Sequence, residues 1–585
     1  MRSICNRFSS IVCFRLACCA SNLPAMASFT QPFLCRVRHR TISVSQPEGN
    51  ALPTTDCQPI DVAPGLSRLF VDFCGGDPAA RRFFSSPSST DDWQKRPAVS
   101  EHWAEMAAVI VAQNPTAPAS VLEALRNGAG TVVTGQQVGL FGGPLFTPFK
   151  AATALARSRE ASGAGRPHVA IFWLATEDHD FEEINNVTFP ARKELRKIVY
   201  SAGLSVPRPV GDIVLDDSIT PLIDQAWELL GYSDAMETLA AAYKPGHTFA
   251  QAFGEFYSKL FAAQGLLVLN AGSREIHRLG APVLRAAIQQ ADELHHSLIE
   301  RNRALEAAGY HAQVAVAPRS SLLFLIDERT GARVALRRIA PGAKDPHGLW
   351  QAGRQTWSTE DLLGILAEAP ERISPSALLR PVFQDFLLSS SMIVGGPAEV
   401  AYFAQSAVLY DKILGRTTPA EPRLSATLIE PAIGELLRKH EITLGRVFAN
   451  TPDSLAQLLA ARAMPVEGKG KLAEAGNALD GELAQLLDWM HSLNADLGRS
   501  GETAARKMRY QMNRLRRLAA NFQVQRDASL ARHAQAITQA IFPQGIPQER
   551  VHGAAYYFAR YGFELAETLT EQALDPCPGH KAIWL

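Results

Sequence analysis

The segment 131–175 constrains the fold most, because a glycine-rich turn and a helical pattern lie between two strand-like runs. Residues 131–134 are a short β-branched run, residues 144–160 follow a helical pattern, and HVAIFWLA at 168–175 is an apolar run of strand length. Such a unit of roughly 40 residues has the size of a βαβ crossover. An apolar run without alternation predicts a parallel strand buried on both faces. The segment therefore predicts a doubly wound α/β domain with its ligand at the carboxyl ends of the strands.

The turn of this segment, TGQQVGLFGGP at 134–144, fits neither common nucleotide-binding pattern. It lacks the Lys-Ser or Lys-Thr of a P-loop, and Gln137 stands where the dinucleotide fingerprint needs its second glycine. Glycines still let a backbone approach a ligand, and Lys150 in the following helix could reach a phosphate or carboxylate. The alternative is that the glycines only permit tight packing of helix on strand. The candidate binding residues here are Gly135, Gln136, Gln137, Gly139, Gly142 and Gly143, and Lys150 is a candidate catalytic residue.

A cluster of acidic residues and one histidine follows the second strand, in ATEDHDFEEINN at 175–186. Carboxylates beside an imidazole can perturb one another's proton affinity and supply a general base, or bind a hard cation such as Mg²⁺. Glu182 and Glu183 instead match the N-terminus of a helix, where acidic side chains complement the dipole. The candidate catalytic residues of this cluster are Glu177, Asp178 and His179, and Asn185 is a candidate for binding.

A third segment, 373–405, repeats the pattern of an apolar run, a glycine turn and a helix. The run ends at Val394, the turn is Gly395-Gly396-Pro397, and a helix is expected from about Ala398. Two such turns could face one pocket. Any one polar residue here could also be an ordinary surface or capping residue. The candidate binding residues of the segment are Arg380, Gln384, Asp385, Gly395, Gly396, Glu399 and Tyr402.

The region 466–543 carries apolar residues at a sustained spacing of about 3.5 residues, which predicts an antiparallel coiled-coil hairpin. Its turn is expected at the glycines of 498–501. The second arm is basic, through Arg506, Lys507, Arg509 and others. An RNA-contacting arm is conceivable, but the solvated face of a coiled coil is the favoured interpretation.

Charge and cysteine usage exclude several classes of protein. Lysine plus arginine equals aspartate plus glutamate at 58 each, so bulk charge implies neither a nucleic acid nor a membrane partner. No later window approaches the 18 apolar residues of a membrane span. No cysteine lies between Gly75 and Pro576, so this stretch has no internal disulfide, thiolate cluster or cysteine nucleophile. That usage fits a reducing, cytoplasmic compartment.

The first 55 residues differ from the rest, because arginines accumulate there before the first acidic residue, Glu48. A disordered or misassigned extension is the favoured interpretation. A secretory signal is a poorer match, because Arg15 interrupts the apolar stretch, and a transit-like leader is a further alternative.

Several long motifs together resemble one protein family. TGQQVGLFGGP at 134–144, FWLATEDHDFEEIN at 172–185, GYHAQVAVAP at 309–318, LLRPVFQD at 378–385 and IVGGPAEVAYFAQ at 393–405 resemble the bacillithiol biosynthesis cysteine-adding family. PRLSATLIE at 422–430, which contains the candidate Arg423, and PQERV at 547–551 are similar to its later motifs. The resemblance covers about residues 56–563 in consistent order.

The resemblance implies a Rossmann-type core, related to class I aminoacyl-tRNA synthetases and nucleotidyltransferases, with inserted connecting subdomains and a helical coiled coil for homodimerisation. It implies the joining of the cysteine carboxylate to the amine of glucosaminyl malate. ATP is expected, because forming an amide from a free carboxylate is uphill, and Mg²⁺ is a candidate companion. No haem, flavin, structural zinc, membrane or nucleic acid is expected. Two alternatives are a nucleotidyltransferase or aminoacyl-transferring enzyme with another substrate, and a non-catalytic coiled-coil scaffold.

Domain boundaries and residue roles follow as expectations. Lys150 and Arg380 would offset negative charge, His179 would take a proton from the attacking amine after orientation by Asp178 or Glu177, and Asp385 or Glu399 would hold an ammonium group. The expected domains are an extension at 1–55, a core at 56–430 with insertions at about 200–300 and 310–370, a connecting segment at 431–465, the hairpin at 466–543 and a C-terminal segment at 544–585 that packs on the core.

Overall fold

The structure, a computed structural model, describes residues 55–84, 92–94, 101–192, 194–339, 348–575 and 577–585. The expected N-terminal extension lies outside the described residues, apart from Thr55. The strands are β1 (Thr55–Gln58), β2 (Gly130–Gln136), β3 (His168–Leu174), β4 (Asn186–Pro190), β5 (Leu195–Val199), β6 (Leu267–Asn270), β7 (Ser320–Ile326), β8 (Arg333–Arg338), β9 (Trp350–Ala352), β10 (Gln355–Trp357), β11 (Ile373–Pro375), β12 (Ser390–Gly395), β13 (Ala420–Pro422), β14 (Ser425–Ile429) and β15 (His580–Trp584).

Helices alternate with these strands and then dominate the last third of the chain. They are α1 (Arg68–Cys74), α2 (Pro78–Arg81), α3 (Trp103–Gln113), α4 (Ala119–Arg126), α5 (Phe146–Gly163), α6 (Phe181–Ile184), α7 (Thr220–Leu230), α8 (Asp234–Ala242), α9 (Phe249–Leu260), α10 (Arg274–Gln289), α11 (Ala291–Ala307), α12 (Thr359–Glu368), α13 (Arg380–Leu388), α14 (Pro397–Leu414), α15 (Pro431–His440), α16 (Leu444–Phe448), α17 (Pro452–Ala463), α18 (Val466–Leu493), α19 (Ala495–Arg526), α20 (Ala528–Ile541), α21 (Gln548–Val551), α22 (Ala554–Tyr561) and α23 (Glu564–Leu574).

The main sheet is parallel, with the strand order β13-β12-β2-β3-β6. Every residue of β3 is buried, which confirms the prediction of a strand covered on both faces. Phe172 and Leu174 pack into the core on the side of α5 and α9, while Ile171 and Trp173 pack on the side of α10 and α13. The sheet is therefore doubly wound, and β2, β3 and β12 end at one edge.

The range 200–300, expected to be an insertion, contains strand β6, so part of it belongs to the main sheet. The run LVLN is only four residues long, too short to be recognised as a core strand from its sequence. Its parallel pairing with β3 shows that it belongs to the main sheet. A separate antiparallel sheet, with the order β10-β9-β8-β7-β11, occupies most of the second expected insertion. Strands β4 and β5, which lie between β3 and β6 in the sequence, pair with each other as an antiparallel hairpin.

The first and last described strands meet in a third sheet with the order β1-β15-β14. A disulfide joins Cys57 to Cys577 across it, with the Cα atoms 6.0 Å apart. Both cysteines lie outside the stretch between Gly75 and Pro576, for which no disulfide is expected. Disulfides are rare in reducing compartments, and the cytoplasmic location therefore stays a prediction. The C-terminal segment packs on the core, where Arg159 of α5 donates to Glu567 of α23 at 2.8 Å.

Helices α18 and α19 form the expected hairpin, but the turn lies at Asn494, before the glycines at 498–501. The Asn494 side chain accepts hydrogen bonds from the backbone nitrogens of Asp496 at 2.7 Å and Leu497 at 3.2 Å, which caps α19. Gly498 lies inside α19, where an added Cβ would come within 2.1 Å of the His491 ring. The expected turn was wrong because this glycine serves close packing between the two helices. Among the helices of the described residues, none combines the length and the apolar composition that a membrane span requires.

Candidate active site

A cavity of about 260 Å³ lies at the carboxyl edge of the main sheet, where β2, β3 and β12 end. A second cavity of about 680 Å³ adjoins it and shares Pro397, Ala398 and Arg550 with it. Both glycine turns and the acidic cluster border the first cavity, as the sequence predicts. Its lining comprises Gln136, Gln137, Phe146, Lys150, Asp178, Glu183, Ala377, Arg380, Gly396, Pro397, Ala398, Glu399, Tyr402, Arg423 and Arg550.

Lys150 links the two turns. Its Nζ donates to the carbonyl oxygen of Gly135 at 2.7 Å and to Gln136 Oε1 at 2.8 Å, both at the end of β2. The same Nζ forms an ion pair with Glu399 Oε2. Burial lowers the pKa of Lys150, and the adjacent Glu399 carboxylate opposes that shift. A buried ammonium group beside the cavity is a strong local source of positive potential.

The second turn faces the cavity directly. Helix α14 begins there, and the backbone nitrogen of Gly396 donates to Glu399 Oε2 at 2.8 Å. A Cβ added to Gly396 would lie 3.5 Å from Arg423 Nε and 3.8 Å from Lys150 Cε. Gly395 instead allows close packing, because its Cβ would come within 2.7 Å of Phe403.

The glycines of the first turn lie under aromatic side chains rather than in the cavity lining. Tyr243 Oη donates to the Gly139 carbonyl oxygen at 2.7 Å and accepts from the Gly142 nitrogen at 2.9 Å. Tyr257 Oη donates to the Gly142 carbonyl oxygen at 2.8 Å. Gly142 has a φ of +83°, and its Cβ would come within 2.5 Å of Phe256. Gly139 and Gly142 therefore serve packing, which was the alternative interpretation, and Gly143 likewise lies outside the cavity lining.

Arginines give the cavity a cationic side. Arg380 donates to Tyr402 Oη at 2.7 Å, and Arg423 forms two hydrogen bonds to Glu549, at 2.9 and 2.6 Å. Arg423 is 5% exposed, and its Nε is buried without a hydrogen-bond partner among the described residues. A buried donor without a partner costs about 1–3 kcal/mol, so this atom indicates a place for an acceptor.

Two carboxylates, Asp178 and Glu183, line the same cavity. Gln137 Nε2 donates to Asp178 Oδ2 at 3.2 Å and to Glu183 Oε2 at 3.1 Å, which holds the two groups beside each other. Burial opposes the ionisation of Asp178, but hydrogen bonding from the His179 backbone nitrogen and the charges of Arg333 and Arg380 lower its pKa overall. Burial and the charges of Asp178 and Asp180 raise the pKa of Glu183.

His179 lies outside the cavity lining and is oriented by a residue that the sequence analysis did not select. Arg333 of β8 lies with its Nη1 3.0 Å from His179 Nδ1, whereas Asp178 Oδ1 is 3.7 Å from that nitrogen. Arginine can only donate, so Nδ1 accepts and Nε2 carries the proton. Burial and the charge of Arg333 lower the pKa of His179, which keeps the ring neutral. The expectation that Asp178 or Glu177 orients this ring was wrong.

Glu177 and Asp385 do not line the cavity, and both carboxylates lie beside other side chains of the protein. Glu177 Oε1 lies 2.9 Å from Nε2 of the buried His277. Asp385 Oδ2 lies 2.6 Å from Arg416, and Oδ1 accepts from the Ser390 nitrogen at 2.8 Å. The expectation that Asp385 holds a substrate ammonium was therefore wrong, and Glu399 is already paired with Lys150. Gln384 is buried in α13, and Asn185 lies outside the cavity lining.

The site predicted from the sequence omits four residues of this neighbourhood. Glu549 and Arg550 lie in PQERV, a motif that was quoted for its resemblance without its charged residues being selected. No local sequence pattern indicates Arg333, because it lies 154 positions after His179 in the chain. The antiparallel sheet brings the two side chains together. Glu183 was assigned only to the helix dipole, although it lines the cavity.

A parallel α/β core with a charged crevice at its strand ends, followed by a long helical hairpin, defines a two-part protein with a Rossmann-like domain and a coiled-coil domain. Comparison with known families gives the same division: the model for the bacillithiol biosynthesis BshC N-terminal Rossmann-like domain matches residues 55–424, and the model for the BshC C-terminal coiled-coil domain matches residues 426–585. The chain belongs to the BshC family.

Individual relatives match along nearly their whole length. A protein of Koribacter versatilis named "Putative cysteine ligase BshC" is 38% identical over 539 residues, which is 90% of this chain and 99% of the relative. Proteins of the same name from Solibacter usitatus and Salinibacter ruber are 31% and 32% identical, over 89% and 88% of this chain and 98% and 96% of their own lengths.

Proposed function

We propose that the protein is a cysteine ligase of bacillithiol biosynthesis, which joins the carboxylate of cysteine to the amine of glucosaminyl malate. Its family membership and the names of its relatives support the cysteine ligase activity. The structural observation that supports it best is that one cavity is lined both by Arg423, whose buried Nε has no partner among the described residues, and by the Asp178 and Glu183 carboxylates. Such a cavity is complementary to substrates that carry both anionic groups and an amine.

Activation of the cysteine carboxylate is the first chemical requirement. We propose ATP for this step, because it converts a poor leaving oxygen into a phosphate or adenylate that leaves readily. Lys150, Arg380, Arg423 and Arg550 line the cavity and fit an anionic phosphate group. In the described part of the chain no three His, Cys, Asp or Glu side chains are grouped to hold a metal ion. Mg²⁺, where it takes part, accompanies the ATP phosphates.

The chain's own contribution is electrostatic and positional. Lys150 and the Arg423 guanidinium are buried, so their fields act in a medium of low dielectric constant. They are fixed in advance by Glu399 and Glu549, and they stabilise negative charge that develops on the reacting carboxylate. Gly396 lacks a side chain, which leaves open the space next to Arg423 Nε, Lys150 Cε and Glu399 Oε2.

The assay that tests this proposal combines purified protein, cysteine, glucosaminyl malate and ATP, with and without Mg²⁺. The expected outcome is an amide-linked thiol product in mass spectrometry, together with ADP or AMP. Omitting either ATP or the amine should abolish the product. A folded protein that forms no product under any of these conditions contradicts the proposal. Product that requires tRNA would favour the aminoacyl-transferring alternative.

We also propose that the hairpin of α18 and α19 joins two copies of the chain. Trp489 is 58% exposed and Phe522 is 61% exposed, and exposed apolar side chains in a cluster mark an interaction surface. Light scattering after size-exclusion chromatography should give twice the mass of 63.6 kDa. Trp489→Glu combined with Phe522→Glu should give a monomer. A monomeric native chain contradicts this proposal. The exposed large apolar residues of the hairpin are Val466, Leu486, Trp489, Leu493, Leu497, Met508, Tyr510, Leu515, Leu518 and Phe522.

A further inference from the structure

We propose that Glu183 is the general base that takes the proton from the attacking amine, and that Asp178 holds this amine in place. The inference rests on the proposed function, because it requires an amine to attack an activated cysteine carboxyl group in the cavity. It gives Glu183 a catalytic role that its position at the start of a short helix does not suggest.

The geometry begins with Gln137. Its Nε2 donates to both Asp178 Oδ2, at 3.2 Å, and Glu183 Oε2, at 3.1 Å, so one amide group fixes two carboxylates side by side. Asp178 is held further by the His179 backbone nitrogen, which donates to its Oδ1 at 2.7 Å. Glu183 keeps much of its side chain in solvent at the rim of the cavity. A fixed carboxylate beside a solvent-accessible one suits binding of an ammonium group and release of its proton to water.

An independent observation in the same cavity indicates what kind of molecule binds. Arg423 Nε is buried, has no partner among the described residues and lies beside Gly396, whose position lines the same cavity. Lys150 adds a second buried cation there. The cavity therefore suits an anionic group and an amine together, as the activated cysteine carboxyl group and the amine of the acceptor require.

Other candidate bases are less suitable. His179 accepts from Arg333 at Nδ1, so its remaining ring nitrogen carries a proton and donates. The pKa of Asp178 is lowered overall, which makes it a weaker base than Glu183. Partial burial of the Glu183 carboxyl group and the carboxylates of Asp178 and Asp180 raise its pKa, while the charge of Lys150 opposes this shift. Among these three, Glu183 combines a raised pKa with a solvent-accessible carboxylate beside the cavity, which suits it to accept a proton and pass it to water.

The step balances as an acyl transfer. The lone pair of the neutral amine forms the C–N bond to the activated carbonyl carbon of cysteine. The bond from that carbon to the phosphate or adenylate oxygen breaks, and the leaving group departs with the bonding electrons. The nitrogen becomes cationic as the C–N bond forms, and its acidic proton passes to the Glu183 carboxylate and then to water.

The test separates activation of cysteine from transfer to the amine. Hydroxylamine is a neutral nucleophile at pH 7 that traps an activated carboxyl group without a protein base. Glu183→Gln should keep hydroxamate formation from cysteine and ATP within about 2-fold of the native protein. It should lower transfer to glucosaminyl malate by about 100-fold, within the usual range for loss of a general base. Glu182→Gln, in the same helix but outside the cavity lining, is the matched control and should leave both rates unchanged.

Two further measurements distinguish a base from a structural residue. The native transfer rate should fall as pH drops through the pKa of Glu183, and Glu183→Gln should lose this dependence. Glu183→Ala should regain transfer activity when formate is added. Transfer by Glu183→Gln within about 3-fold of the native rate overturns the proposal. Equal loss of hydroxamate formation and transfer also overturns it, because the residue would then serve activation or Mg²⁺ binding. A native protein that forms neither hydroxamate nor product instead contradicts the ligase function itself.

Discussion

The two glycine turns at the edge of the main sheet share a sequence pattern but have different surroundings. In the first turn, Tyr243, Tyr257 and Phe256 cover the glycines at 139 and 142. In the second turn, Gly396 borders the cavity between Lys150 and Arg423. A glycine turn after a parallel strand is therefore insufficient to predict a ligand loop, because the side chains that pack on it decide which surface it presents.

Lys150 joins the two turns, and its removal should have the largest effect on activity. Lys150→Met alone removes the cation that pairs with Glu399, whose carboxylate is 17% exposed and keeps the hydrogen bond from the Gly396 nitrogen, and it is expected to destabilise the protein by about 1–3 kcal/mol. Lys150→Met with Glu399→Gln removes both charges and should restore most of that stability. The double variant should still lose activity by about 100-fold or more, because the field on the reacting carboxylate is gone. A folded double variant with native turnover would show that this ion pair serves packing only.

The first turn should respond to substitution through stability. Gly142→Ala places a Cβ within 2.5 Å of Phe256 at a φ of +83°, and should lower the free energy of unfolding by about 2–4 kcal/mol. Gly165→Ala is the matched control, because Gly165 has a φ of +79° and nothing within 4 Å of an added Cβ. Chemical denaturation of both variants measures the difference. Equal destabilisation would mean that the aromatic packing contributes little.

Low pH should destabilise the protein through His552, whose backbone is hydrogen-bonded to the residue after the first turn. The carbonyl oxygen of His552 accepts from the Leu145 nitrogen at 2.8 Å, and burial lowers the pKa of His552 to about 4. The unfolded imidazole has a pKa near 6.5, so the stabilisation is complete above that pH and is lost as pH falls towards 4. Between pH 7 and pH 5 this group should account for a loss of about 2 kcal/mol.

Denaturation of the native protein and of His552→Gln at both pH values isolates this contribution. The variant should be less stable at pH 7 and should show a smaller loss between the two pH values. An identical loss in both proteins would assign the acid sensitivity to other groups.

The second turn should respond through activity, with the smallest effect of the set. Gly396 has a φ of −76°, so alanine is allowed there, and its Cβ would lie 3.4 Å from Glu399 Oε2 and 3.5 Å from Arg423 Nε. Gly396→Ala should unfold at nearly the native denaturant concentration. Its KM should rise about 10-fold, or about 1.4 kcal/mol, because the methyl group occupies space meant for an anion. If Gly396→Ala instead shows native kinetics and reduced stability, the second turn serves packing as the first turn does, and the proposed difference between the two turns is contradicted.

The sequence predicts the centre of the main sheet well, because β2, β3 and β12 are apolar runs followed by glycine or acidic turns. It fails for β6, whose identity depends on pairing with β3. It also misplaces the hairpin turn, because glycines inside α19 resemble a turn when the facing helix is unknown. Arg333 and the Arg423–Glu549 pair depend on contacts between distant parts of the chain, which local patterns do not contain.

A crystal structure with cysteine and glucosaminyl malate bound tests the central claim most directly. The claim is that the crevice between Lys150, Arg423 and the Asp178–Glu183 pair binds the reacting groups. The account predicts an anionic oxygen within hydrogen-bond distance of Arg423 Nε and an amine beside Asp178 and Glu183, with Gly139 and Gly142 still covered by their aromatic residues. Substrates bound at another cavity in a catalytically active protein, with only water in this crevice, would contradict it.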